Sequence, residues 1–232
     1  MKFKSLFPSD EYSFLLKRET VYFSFSLSTR RDQVLIWVLG GPGSGKGTQC
    51  KLVKKEFDAE HLIPGEMLRR EASRKTELGC KIESILMDGR IVPPTVTVPL
   101  LKEAIAATDK KIVLIDGFPR DLENREEFHR SLQRDCDLLL VYECSEAELL
   151  RRLKKRGETS GRSDDNENTI LKRFSTFQRR TVPVIDLYRN SGKLKIVDGS
   201  KGIVEVSRRT TDVIRAVEKQ QLPEELGTSN AG

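Results

Sequence analysis

The stretch from Val34 to Thr48, VLIWVLGGPGSGKGT, restricts the fold more than any other part of the chain. Val34 to Leu39 is a continuous apolar run containing Val, Ile and Trp, the composition of a strand buried on both faces of a parallel sheet. It breaks into Gly40, Gly41, Pro42, Gly43, Ser44, Gly45 and Lys46, and the spacing fits G-x-x-x-x-G-K, a phosphate-cradling loop. The glycines let backbone N–H groups approach phosphate oxygens with no Cβ in the way. Beyond Lys46, Cys50, Val53 and Phe57 recur at helical spacing. The phosphates would therefore also meet a helix N-terminus, where unpaired N–H groups and the dipole favour anions. Lys46 would add a point charge near the β and γ phosphates.

With 232 residues the chain is long enough for one α/β domain with a sizeable core. The net charge of +6 suits nucleic acid, anionic membranes or phosphorylated small molecules, and the placement of the arginines favours the last. Cys50, Cys80, Cys136 and Cys144 are too scattered for a zinc site or a CxxC pair, and read as thiols in a reducing compartment. With only His61 and His129, a histidine-based triad or metal cluster is not expected. No run of eighteen apolar residues suggests a membrane span. Residues 1–32 read as a flexible N-terminal extension. Arg30 and Arg31 suit an organelle transit peptide, whereas Asp10, Glu11 and Glu19 do not, so targeting stays an open alternative.

Further along, Pro64 and Gly65 read as a turn and Glu66–Ser73 as a helix; a second helix spans 77–89, ended by Asp88-Gly89, with a new turn at Pro93-Pro94. Lys111–Ile115, Asp137–Tyr142 and Lys193–Val197 read as further strands. The first of these runs into Asp116-Gly117-Phe118-Pro119-Arg120. A carboxylate at the carboxyl end of a parallel strand faces the crevice where α/β folds bind ligands. Asp116 suits Mg²⁺ or its water shell, and helix capping is its structural alternative. Arg120 offers a planar fork that matches phosphate oxygens. Glu146–Lys155 reads as a helix, RGETSGRSDDN as a mobile loop, and Glu167 onward as a long helix that Pro183 should kink or restart. A closing helix covers 203–219, and a flexible tail 220–232.

Two stretches, GGPGSGKGTQC and DGFPR, together resemble the nucleoside monophosphate kinases of the adenylate kinase and UMP/CMP kinase group. Gly47 departs from the generic loop pattern, in which Ser or Thr follows the lysine, with Thr48 one place later, and that departure is part of the resemblance. The resemblance covers about residues 33–219 and implies a P-loop three-layer α/β fold. That fold has a five-stranded parallel sheet and two inserts, one for the acceptor at about 63–92 and a short lid at about 157–167. It assigns Gly43, Ser44, Gly45, Lys46, Gly47, Thr48, Arg156 and Lys201 to ATP. To the acceptor monophosphate it assigns Arg69, Arg90, Ile91, Val92, Gly117, Phe118, Pro119, Arg120, Asn124, Arg162 and Arg173. Lys46, Arg120, Arg156, Arg162 and Arg173 would act on the moving phosphoryl group, with Asp164 and Asp165 orienting arginines. Closure of the lid over ATP is established behaviour of the family. The lid here is short and lacks cysteine, so the zinc-bearing lid of some bacterial relatives is not expected, and the cofactor would be Mg²⁺ with ATP, without zinc.

The implied activity is transfer of the ATP γ-phosphoryl group to a nucleoside monophosphate. Adenylate kinases carry Gln four residues after the DGFPR arginine and UMP/CMP kinases carry Asn; this chain has Asn124. It is therefore expected to act on UMP and CMP, with AMP as the alternative acceptor. At Pro64 adenylate kinases usually have Thr and UMP/CMP kinases Ala, and proline matches neither. Helix capping is the structural alternative for Asn124. A nucleotide-binding module without turnover is the alternative of another class. The expected partners are small nucleotides, with no nucleic acid and no membrane, and the protein is expected to be a cytoplasmic monomer, the nucleus remaining open.

Overall fold

The computed structural model describes residues 33–157 and 166–221. The expectations for 1–32 and 222–232, and for Arg162, Asp164 and Asp165 in the lid, lie outside the described residues. Five strands form one sheet: β1 (Val34–Gly40), β2 (Glu60–Leu62), β3 (Ile112–Asp116), β4 (Leu138–Glu143) and β5 (Leu194–Asp198). All pairs are parallel and the order is β2-β3-β1-β4-β5. β1 and β3 are buried along their whole length, as their unbroken apolar runs require. The connections are helices α1 (Lys46–Glu56), α2 (Pro64–Ser73), α3 (Glu77–Met87), α4 (Pro94–Ala107), α5 (Leu122–Leu132), α6 (Glu146–Gly157), α7 (Glu167–Thr176), α8 (Val182–Leu187) and α9 (Ile203–Gln221).

Two layers of helix cover the sheet. On one face Trp37 of β1 meets Phe118, Phe128 and Tyr188 edge-on, at centroid distances of 5.7, 5.3 and 6.0 Å. On the other, Cys50 and Val53 of α1 pack with Val206, Ile214 and Val217 of α9. A separate apolar cluster joins Leu68 and Ala72 of α2 to Ile82 and Ile85 of α3, with Val92 and Val96. Another joins Leu149 and Leu153 of α6 to Ile170 and Phe174 of α7. After β1 the chain leaves to the α1 face, and after β3 to the α5 face. The carboxyl ends of these neighbouring strands thus form a topological switch point, the place where open parallel sheets bind ligands.

The structure departs from the sequence expectations in four places. The fifth strand is Glu60–Leu62, which only its pairing with β3 makes a strand. Pro64 and Gly65 form the first turn of α2 rather than a preceding turn, because a proline at the first helical position loses no hydrogen bond. Pro93-Pro94 likewise opens a helix, the 14-residue α4. Finally, the helix before Pro183 widens to a π turn at Phe177–Thr181, and α8 restarts with that proline near its N-terminus. The restart at Pro183 agrees with the sequence reading.

Candidate active site

The loop after β1 is held by geometry that glycine permits. At Gly40 (φ 146°) an added Cβ would lie 2.6 Å from the Tyr142 carbonyl oxygen. Gly45 (φ 90°) is the N-cap of α1, and its Cβ would meet only Arg152 Nη1, at 3.8 Å, so left-handed backbone rather than crowding calls for glycine there. Lys46 folds back over the loop. Its Nζ donates to the Gly40 carbonyl at 2.8 Å and the Gly41 carbonyl at 3.1 Å, and lies 3.4 Å from Ser44 Oγ. Desolvation pushes the Lys46 pKa down to about 8; the Asp116 carboxylate opposes that shift, and the cationic Arg120 and Arg173 reinforce it. Lys46, Asp116, Arg120 and Arg173 therefore share one electrostatic environment.

Register brings the second motif beside the first. Asp116, the last residue of β3, pairs with Val38 of β1, and Gly117 N–H donates to the Val38 carbonyl at 2.8 Å. Asp116 caps no helix; the cap of α5 is Asp121, whose Oδ1 accepts from Asn124 N–H at 2.8 Å. A Cβ on Gly47 would lie 3.3 Å from Asp116 Oδ2, so the glycine after the lysine leaves room between carboxylate and loop.

Two cavities adjoin here. The first is a recess lined by Pro64, Gly65, Leu68, Ile91, Val92, Thr97, Gly117, Phe118, Arg120 and Asn124. Asn124 is 2% exposed and its Nδ2 is buried with no hydrogen-bond partner. An unpaired buried amide costs free energy, so an unfilled donor beside a recess points to a ligand acceptor. The second cavity holds Lys46, Arg120 and Arg173, with Gly40, Pro42, Gly89, Thr176, Phe177 and Thr181 in its wall. Gly117 and Arg120 line both. Arg69 joins Arg120 over Gly65, where an added Cβ would lie 3.4 Å from Arg120 Nη2 and 3.5 Å from Arg69 Nη1.

Other expected residues stand farther out. Arg90 turns away from the recess, its Nη2 2.9 Å from Asp88 Oδ2, while its neighbours Ile91 and Val92 line it. Exposed Lys201 pairs with Asp198 at 3.7 Å. Half-buried Arg156 sits in the last turn of α6, and Pro119 is buried and does not line the recess. Exposed Thr48 sits in the first turn of α1.

Several residues here escaped the sequence reading. His61 Nε2 lies 3.3 Å from Asp116 Oδ2. Three threonines tie the helical segment 169–181 to Met87, Gly89 and Arg120, the last two of which line the cleft. Thr169 Oγ1 donates to the Met87 carbonyl, Thr176 Oγ1 to that of Gly89 and Thr181 Oγ1 to that of Arg120, at 2.8, 2.9 and 2.7 Å. No local motif signals such contacts, because each partner is at least 55 residues away.

A parallel sheet with a glycine loop and a lysine at the carboxyl end of its central strand defines a P-loop α/β protein. The sequence model described as adenylate kinase matches residues 38–193, and the chain belongs to the adenylate kinase family. Its relatives include "Probable UMP-CMP kinase 2" of Arabidopsis thaliana, 40% identical over 80% of this chain and 71% of that protein. "UMP-CMP kinase 3" of Oryza sativa subsp. japonica is 44% identical over 74% of this chain and 81% of its own. "UMP-CMP kinase" of Xenopus tropicalis is 40% identical over 77% of this chain and 95% of its own.

Proposed function

We propose that this chain transfers the γ-phosphoryl group of magnesium-bound ATP to a pyrimidine nucleoside monophosphate, giving the diphosphate and ADP. The observation that carries the reading is the wall shared by the two cavities: Arg120 faces the recess with the Asn124 amide and also the cleft with Lys46 and Arg173. Phosphoryl transfer asks little covalent chemistry of the protein; it needs two substrates in line and positive charge on the moving group. The loop from Gly43 to Thr48 would hold the donor phosphates on its N–H groups, with Lys46 on the phosphoryl group. Arg69 and Arg120 would clamp the acceptor phosphate, and Arg173 would add charge where the group passes. Arg156 from the end of α6 and Arg162 from the lid would complete that charge, and Lys201 would lie by the donor base. Asp116, with room at Gly47, fits a magnesium ion through its water, and that ion would neutralise phosphate charge. No general base is assigned.

Asn124 would read the base. A carboxamide presents one donor and one acceptor, which serve cytosine N3 and its amino group in one orientation and uracil N3–H and O4 when rotated. Adenine shows the same edge pattern as cytosine, so exclusion of AMP falls to reach and recess size. Pro64 offers adenine no hydroxyl. The names of the relatives support the same acceptors. The proposed setting is a cytoplasmic monomer working on free nucleotides; among the described residues no helix is long and apolar enough to cross a membrane.

A panel of monophosphates, dCMP included, with ADP formation as the readout, tests the assignment. UMP and CMP should exceed AMP by at least about tenfold in kcat/KM, a difference of only about 1.4 kcal/mol. AMP as the best acceptor would establish the adenylate kinase reading instead, and no ADP with any acceptor would leave a binding module.

The lowered Lys46 pKa gives a pH signature. Phosphate oxygens favour the ammonium form, so the bound state has the higher pKa and takes up a proton where the free lysine is neutral. ATP affinity should be flat below about pH 8, the free-state pKa, and should fall above it, by up to about tenfold per pH unit. Calorimetry in buffers of different ionisation enthalpy reads this uptake; affinity that stays level from pH 7 to 10 with no proton uptake would show that Lys46 does not change its protonation when ATP binds.

A further inference from the structure

Cys50, His61 and Asp116 come from α1, β2 and the end of β3, and the fold gathers them. Pairing of β2 with β3 sets His61 against Leu114, two residues before Asp116, and α1 lays Cys50 against the same face. One sulfur, one imidazole nitrogen and one carboxylate oxygen all lie within 4.8 Å of one another. Cys50 is 2% exposed, and the side chains of His61 and Asp116 are 4% and 10% exposed. Among the described residues no other set of three His, Cys, Asp or Glu side chains gathers in this way.

We propose that Cys50, His61 and Asp116 form a sulfur-containing site for a soft or borderline divalent cation of the zinc–cadmium class, and that filling it withdraws Asp116 from the magnesium nucleotide. The chemistry of the donors selects the cation. Magnesium takes oxygen ligands in an octahedron and has no use for a thiol or an imidazole, whereas zinc and its heavier congener take sulfur and nitrogen readily. The spacing is also right. Around a tetrahedral ion with bonds of about 2.0–2.3 Å, neighbouring donor atoms stand about 3.3–3.6 Å apart. The 3.3 Å between His61 Nε2 and Asp116 Oδ2 already has that value, and Cys50 needs only a small side-chain movement. Three protein ligands leave a fourth position for water or another oxygen ligand. As the metal–sulfur bond forms, the thiol proton leaves to solvent, and His61 contributes a nitrogen lone pair without redox change. Cation binding stands on geometry alone; the inhibitory half rests on the reading of Asp116 as the magnesium carboxylate, so the two are tested separately.

Binding is read by titrating the full chain with Cd²⁺ in chelator-free buffer and following the ultraviolet thiolate-to-cadmium charge-transfer band. One equivalent per chain is expected. The band should vanish in Cys50→Ser and need at least about tenfold more Cd²⁺ in His61→Gln. A Cys80→Ser/Cys136→Ala/Cys144→Ser variant leaves the trio intact with Cys50 as its one cysteine and should keep the full band, which assigns the thiolate even if Cys50→Ser does not fold. No band in the folded wild-type chain, or a band lost in the folded triple variant, overturns the site. Turnover supplies the second arm, each variant compared with its own metal-free rate. Cd²⁺ should inhibit the wild type, with relief by excess magnesium ATP and by EDTA, and should lose its grip on Cys50→Ser. A full band with undiminished turnover at low magnesium ATP overturns the competition for Asp116 while leaving cation binding established.

Discussion

Lys46→Ala is expected to lower turnover by at least about a hundredfold, the scale on which one preorganised charge at a developing anion acts. The argument runs from the loop. Lys46 Nζ is anchored by the Gly40 and Gly41 carbonyls, so its position is set before any substrate arrives. Burial, the main cause of its lowered pKa, leaves the charge poorly solvated, and a poorly solvated charge acts more strongly on a neighbouring anion. The loss should appear in kcat more than in the acceptor's KM, because the lysine faces the cleft and not the recess. Removing Nζ also frees two carbonyls, so thermal melting must accompany the kinetics. A variant that melts like the wild type and turns over within threefold of it would take Lys46 out of the mechanism.

How far the sequence carries the site follows from which contacts are local. The loop Gly40–Lys46 and the DGFPR segment each place backbone and side chain within a few residues, so spacing alone exposes them. β2 has no such signal: three residues, only Leu62 of them buried, become a strand because β3 offers an edge. α4 was hidden behind Pro93-Pro94 and a run of β-branched residues of weak helix propensity, Thr95 to Val98. Its buried Val98, Leu101 and Ile105 stand at helical spacing, and that periodicity could have revealed it.

The chemistry followed the same division. Sequence identified Asp116 and Asn124, but not what surrounds them. That Asn124 is buried with an unpaired Nδ2, and that Asp121 rather than Asn124 caps α5, depend on packing. The four cysteines remain apart, as their spacing implies, and that one of them, Cys50, lies near His61 and Asp116 depends on the helix after β1 and on the placing of β2 and β1 on either side of β3.

Arg120→Lys is expected to fail almost as badly as removal of the side chain, with kcat/KM for the acceptor down by about a hundredfold, although the charge is kept. Arg120 Nε donates to the Gly117 carbonyl at 3.1 Å, and its backbone carbonyl accepts from Thr181 Oγ1. The first contact fixes the plane of the guanidinium, whose Nη2 comes close to Arg69 over Gly65, and the second holds the backbone that carries it. A planar fork so held can meet two phosphate oxygens at once while Nε keeps its own bond. An ammonium is a point donor on a flexible stem, and lysine has no atom equivalent to Nε, so it must choose between the Gly117 carbonyl and the phosphate. Because Arg120 lines both cavities, the defect should appear in the acceptor's KM and in kcat together. ATP affinity measured without acceptor should change much less. A lysine variant within about threefold of wild type on both parameters would mean that charge alone suffices, and that the Arg120 fork does not clamp the phosphate.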